Sequence, residues 1–190
     1  ELSGRGGRGS RWRIFPDRAP PEMGFKAKAD AVCSAMSSVA QRFVSVRSRV
    51  AVAAARVGTP RVLLVAVSKR QPLSAIQEAA AAGCDDFGEN YVQELVDKAN
   101  QAPSLRWHFI GQLQRNKVKQ LPALALVHSV DRLALARTID AHRDEPIDVL
   151  LQVNVSGELR KAGCEVHELP ALLEGCAALP NIRVRGLMTM

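Results

Sequence analysis

From Val32 the apolar positions fall at Met36, Val39, Phe43, Val46, Val50, Ala53 and Val57, in alternating steps of three and four. That spacing sets them on one face of a long helix, which Gly58-Thr59-Pro60 ends. The run is a short heptad, so it reads as a helix leaning on the outside of a sheet, with a coiled-coil seam as the alternative. A continuous apolar stretch follows, Val62-Leu63-Leu64-Val65-Ala66-Val67-Ser68. Apolar on both faces, it predicts a strand of a parallel sheet covered by helices.

Beyond Lys69 one unit repeats. Leu73, Ile76 and Ala80 give a helix ending at Gly83, and Asp85-Asp86-Phe87-Gly88 gives a strand. Residues 92–100 are helical, Trp107 to Gly111 is a strand, and a further helix carries Leu113 and Val118. Ala125 to Val130 is a strand, Leu133 to His142 a helix, Ile147 to Asn154 a strand, Leu169 to Ala178 a helix and Ile182 to Met188 a sixth strand. Strict alternation means a parallel sheet with right-handed crossovers, either an open doubly wound sheet or a (β/α)8 barrel. Polar residues follow every strand: Ser68-Lys69, Glu89-Asn90, Gln112, Ser129 and Asp131, Asn154 and Ser156, Thr189. A site drawn from all strand ends is the habit of a barrel, whereas an open sheet uses mainly its switch point. The fold class is therefore an α/β barrel of the TIM type, present as about six βα units behind a leading helix. A barrel needs eight units, so the C-terminal ones are expected to be missing from a chain that stops at Met190.

Lys69 closes an apolar strand at its carboxyl end, where such folds place their chemistry. An amine held against apolar walls has its charged form disfavoured and can attack an aldehyde to form a Schiff base. The plainer alternative is a lysine marking the exit of the strand into solvent.

Composition narrows the class. A chain of 190 residues, 47% hydrophobic, can build one core, and no stretch approaches the roughly 20 apolar residues that span a bilayer. Cys33, Cys84, Cys164 and Cys176 form no paired motif and read as reduced thiols of an intracellular protein; no Cys/His spacing suggests a metal. The net charge of +7 is concentrated at the start, where residues 1–29 carry seven Lys and Arg against three acidic residues, leaving +4 in that arm. Residues 1–29 thus read as a disordered basic Gly/Arg-rich arm and 30–190 as the folded domain. Gly4-Arg5-Gly6-Gly7-Arg8-Gly9 matches the dinucleotide-binding spacing but lacks the strand before it and the helix after it, so the match is rejected. The arm is a solvated tail, an RNA-touching segment or an organelle address, and Met23 is a candidate translation start.

Val65-Ala66-Val67-Ser68-Lys69-x-x-Pro72, Phe87-Gly88-Glu89-Asn90-Tyr91-Val92-Gln93-Glu94, Trp107-His108-Phe109-Ile110-Gly111-x-Leu113-Gln114-x-Asn116-Lys117, Val153-Asn154-x-Ser156-Gly157-Glu158-x-x-Lys161-x-Gly163 and Gly186-Leu187-Met188-Thr189-Met190 stand in that order. Together they resemble the pyridoxal phosphate homeostasis protein family, stand-alone relatives of the barrel domain of alanine racemase, from about Val32 to Met190. The resemblance implies that Lys69 holds pyridoxal 5′-phosphate as a Schiff base, with Asn90, Asn154 and Met188 lining the cofactor ring. Asn90 could equally cap the helix near Tyr91, and Met188 could be barrel filling. Glu89 and His108 read as structural, and Asn116 and Lys117 as a solvated helix face. The family's phosphate-binding serine, glycine and threonine, and the arginine facing the pyridine nitrogen, belong to the last two strands, which are absent here.

The implied function is a cytoplasmic cofactor-binding protein of vitamin B6 homeostasis, mitochondrial if the arm is a targeting segment. It would pass the cofactor to pyridoxal phosphate-dependent apoenzymes and turn over no amino acid itself. The alternative is a racemase-like enzyme of the same cofactor. That chemistry needs a second acid or base, which alanine racemase takes from a separate domain; Tyr91 is the only tyrosine here. RNA binding through the arm ranks below both, and would vanish on removing residues 1–22. Residues 1–190 alone are expected to be poorly soluble and to bind pyridoxal phosphate no better than a generic exposed lysine, because strand edges and phosphate donors are lacking. A form extended by two βα units should bind well; a soluble 190-residue monomer with tight, Lys69-dependent binding would sink this expectation.

Overall fold

The computed structural model describes residues 38–59, 62–158 and 160–190. The proposed arm, 1–29, and the start of the first helix lie outside them.

The leading helix α1, Val39–Arg56, begins at a reciprocal cap in which the Gln41 N–H donates to Ser38 Oγ and the Ser38 N–H donates to Gln41 Oε1. The expected apolar face packs only in its first turns. Val39 and Phe43 reach the core, whereas Val46 is 42% and Val57 74% exposed. Its support, α2 (Leu73–Ala81), explains this: nine residues make about 14 Å of helix against about 27 Å for the eighteen of α1, which therefore overhangs. Arg47 lies over the Phe43 ring and donates to Ala82 O at 3.2 Å, tying α1 to the end of α2.

The strands are β1 (Ala66–Val67), β2 (Asp86–Glu89), β3 (Arg106–Phe109), β4 (Leu126–Val130), β5 (Ile147–Gln152) and β6 (Ile182–Met188). They form one parallel sheet in the order β1-β2-β3-β4-β5-β6. Chain order without reversal leaves no switch point, so the open doubly wound alternative is excluded and the arrangement is that of consecutive barrel units. Right-handed crossovers put α3 (Val92–Gln101), α4 (Leu133–Asp140) and α5 (Leu169–Ala177) on the same face as α2. The unit between β3 and β4 departs from expectation. In place of an α-helix it has a six-residue 3-10 turn, Arg115–Gln120, that buries Val118 before Pro122 stops it, and Leu113 is buried in the preceding loop.

The long first strand is also corrected. β1 spans two residues, paired with β2, and Val62 and Val67 are exposed rather than covered on both faces. Strand β5 is shorter than expected, with Val153 in an isolated bridge to Cys164.

Alternation along the strands divides the sheet chemically. The helix-covered face carries Phe87, Trp107, Phe109, Val127, Val149 and Leu151, all buried against Ile76, Leu95, Leu135 and Ile139. The opposite face carries polar groups beside the buried Leu126. Asp86, His108 and His128 form a chain there, with 2.9 Å from His108 Nε2 to Asp86 Oδ1 and 2.9 Å from His108 Nδ1 to His128 Nε2, and Asp148 pairs with Arg183 and Arg185. Two N–H groups cannot hydrogen-bond to one another, so the facing histidines cannot both be imidazolium. Burial, reinforced by His108, pushes His128 down to about 4. Unfolded, the same side chain takes its proton near 6.5. Its contribution to stability is therefore complete above pH 6.5 and fades as pH falls toward 4. Urea unfolding across that window should show declining stability, and His128→Gln should make the decline shallower; an identical pH profile for the variant would contradict this.

Candidate functional site at the carboxyl ends of the strands

Lys69 stands in a tight turn that closes β1. The Ser68 N–H donates to Gly88 O on β2 at 3.0 Å, and the Gln71 N–H donates back to Ser68 O at 3.0 Å. Arg70, within the turn, has φ 59°, and it is the one non-glycine residue with positive φ among the described residues. Such a backbone costs about 1–2 kcal/mol and persists only where its surroundings hold it.

The surroundings are ionic. Lys98, on the buried face of α3, donates to Ser68 O at 2.7 Å, to Glu89 Oε1 at 2.7 Å and to Glu94 Oε1 at 2.6 Å. Those bonds use all three ammonium protons. Ser68 Oγ donates to the same Glu89 oxygen at 2.7 Å, and the Arg70 N–H donates to Glu94 Oε1 at 2.6 Å. Glu89 is fully buried, and its Oε2 has no hydrogen-bond partner among the described residues. Burial alone would raise the Glu94 carboxyl, but the bonds from Lys98 and from the Arg70 N–H outweigh it and hold the group below its usual range. Lys69 is exposed, and its amine has no hydrogen-bond or ion-pair partner among the described residues. The amine expected to lie against apolar walls is exposed among the described residues, where β1 pairs only with β2.

Asn90 follows β2 directly and is half-buried. Its expected alternative role is not seen: α3 is capped at Tyr91 without a side-chain bond. Gly111 explains its place, since a Cβ at that position would collide with the Asn90 carbonyl. Asn154 ends the path of β5, where its Nδ2 donates to Glu158 O at 2.9 Å and its Oδ1 accepts from Ser156 Oγ at 3.2 Å. Here too a glycine makes room, as a Cβ on Gly163 would lie 2.6 Å from the Asn154 nitrogen. The Asn154 side chain is therefore spent on shaping its own loop. Met188, half-buried, is paired with Gln152, and its carbonyl accepts from the Val153 N–H at 2.9 Å.

Lys69 and Asn90 thus sit on neighbouring strand ends, as do Asn154 and Met188, with β3 and β4 between the two pairs. All four occupy the same end of the sheet, and no hydrogen bond joins them among the described residues. Glu89 and His108 are buried and bonded as the sequence suggested, and Asn116 and Lys117 are exposed on the 3-10 turn. Sequence reasoning missed Lys98. The Glu94/Lys98 spacing is that of a helix pair, but nothing in it shows that the lysine turns inward to the strand end. The described cysteines are buried, burial raising Cys84 to about 11 and Cys164 and Cys176 in the same direction, so none competes as a nucleophile. No helix among the described residues is long and apolar enough to cross a membrane, and no cluster there could hold a metal.

Comparison with known proteins agrees with this arrangement. The family model described as alanine racemase, N-terminal domain, matches residues 42–190. A pyridoxal phosphate homeostasis protein from Pseudomonas aeruginosa is 45% identical over 163 residues, covering 82% of this chain and 71% of that protein. One from Escherichia coli K12 is 41% identical over 166 residues with the same coverage. Among solved structures, PipY of Synechococcus elongatus with PLP bound superimposes with a TM-score of 0.67 at 35% identity, over 80% of this chain and 70% of that one. By strand order, by the lysine at the end of β1 and by these identities, the chain belongs to the pyridoxal phosphate homeostasis protein family, built on the alanine racemase N-terminal barrel domain.

Proposed function

We propose that this chain binds pyridoxal 5′-phosphate through Lys69 and serves intracellular cofactor homeostasis, holding and releasing the cofactor for apoenzymes that require it. The observation that carries the reading is the amine of Lys69, exposed and without a partner among the described residues, on a turn whose neighbouring residues are both anchored. That donor set fits an aldehyde cofactor: a primary amine without a partner among the described residues, no metal-holding cluster there, and the amide side chains of Asn90 and Asn154 just beyond the ends of β2 and β5. When bound, the cofactor supplies an electron-withdrawing aldehyde-bearing ring.

Lys69 Nζ condenses with the aldehyde carbon and releases water. Asn90, keyed in place by Gly111, and Met188 would border the ring from the ends of β2 and β6. Asn154 contributes by fixing the loop after β5, and a direct ring contact would require it to leave Glu158 O or Ser156. Tyr91, half-exposed beside Asn90, is the available candidate for a second acid or base, and the racemase-like reading rests on it alone.

In the full-length protein, borohydride reduction and peptide mapping should find the pyridoxyl group on Lys69, and Lys69→Ala should abolish the cofactor's bound absorbance. An adduct on Lys117 or Lys161, or an unchanged spectrum in the variant, would overturn the assignment. Incubation of the loaded protein with L-alanine and other common amino acids should leave their chirality intact; turnover on the order of 1 per second or more would favour the racemase-like reading.

A further inference from the structure

Resting on the reading that Lys69 holds the cofactor, we propose that Lys98, acting with Glu94, is a positioning residue for it. The pair fixes the backbone on both sides of Lys69 so that only the lysine side chain is left to move.

The argument begins with what the ammonium of Lys98 touches. One proton goes to the carbonyl of Ser68, the residue before Lys69, and another to Glu94, whose same oxygen accepts the N–H of Arg70, the residue after it. The third goes to Glu89, which also receives the Ser68 hydroxyl. Ser68 is thus gripped at its carbonyl and its side chain, and Arg70 at its amide. Lys69 lies between them with no bond of its own among the described residues.

If this network served only to bury α3 against the sheet, an apolar contact would do so without desolvating a lysine and a glutamate. Its bonds end instead on the two peptide units flanking one residue, and the left-handed Arg70 marks a turn that needs holding. A long side chain reaching a reactive carbon gains from a fixed root, because freedom in the backbone multiplies through its rotatable bonds. Neutralisation by two carboxylates also keeps Lys98 from competing for the aldehyde.

The test is made on the full-length protein with Glu94→Ala, which frees the Arg70 amide and leaves the buried Lys98–Glu89 pair intact. Glu94→Gln keeps an acceptor as the control. Cofactor dissociation constant, the pH midpoint of the cofactor–lysine absorbance band, and Tm are measured together. Losing a charge-assisted bond should raise the dissociation constant about tenfold in Glu94→Ala. The absorbance midpoint should move as well, with Tm close to the parent's and Glu94→Gln restoring most of both. An unchanged dissociation constant and midpoint, with the borohydride adduct still on Lys69, would overturn the positioning role alone. An adduct on another lysine would overturn it together with the assignment of Lys69.

Discussion

A parallel sheet whose strands follow one another in chain order leaves its connections only one face to cross, because each crossover must be right-handed. The other constraints of the molecule descend from this. The crossover face must be apolar, since α2 to α5 press on it, and it carries Phe87, Trp107, Phe109, Val127 and Leu151. The reverse face receives no helix and is free to carry charge, as in the Asp86–His108–His128 chain and the Asp148 pairs with Arg183 and Arg185. Every strand then delivers its carboxyl end to the same rim, so residues far apart in sequence become neighbours there without any long loop to fetch them.

Much of this is legible in the amino-acid sequence, and for a physical reason. Alternating periods of two and 3.6 report which side of an element meets apolar surroundings, and that signal is strong where the surroundings are uniform, as for Val92–Gln101 and Leu133–Asp140. It misleads where they are not. The run 62–68 is as apolar as a central strand, but only two of its residues are paired among the described ones. The heptad of α1 continues past the point where α2 has anything to offer it. Leu113 and Val118 are buried as their type suggests, yet six residues before a proline make a 3-10 turn, which periodicity cannot distinguish from a helix.

The site divides in the same way. Lys69 was readable because its place after an apolar strand is a property of local sequence, and Asn90 because it follows the next strand. Asn154 was placed on the right strand end, but its side-chain bonds to Glu158 and Ser156 belong to a loop conformation that composition does not encode. Lys98 was invisible because burial of an ammonium depends on three acceptors supplied by separate segments: a carbonyl after β1, a carboxylate ending β2 and another on its own helix. A charged residue at a helical spacing normally signals solvent, and only the assembled fold reverses the sign of that inference.

The two glycines at the rim carry a consequence of another kind. Gly111 is pressed against the carbonyl of Asn90, and Gly163 against the amide of Asn154, so each asparagine is seated by the missing side chain of a residue on a different segment. A replacement as small as alanine at either glycine would act at a distance of one strand or loop, pushing the asparagine out of register while touching no ligand. Changes at these positions would shift the ends of β2 and β5 while leaving the core sound.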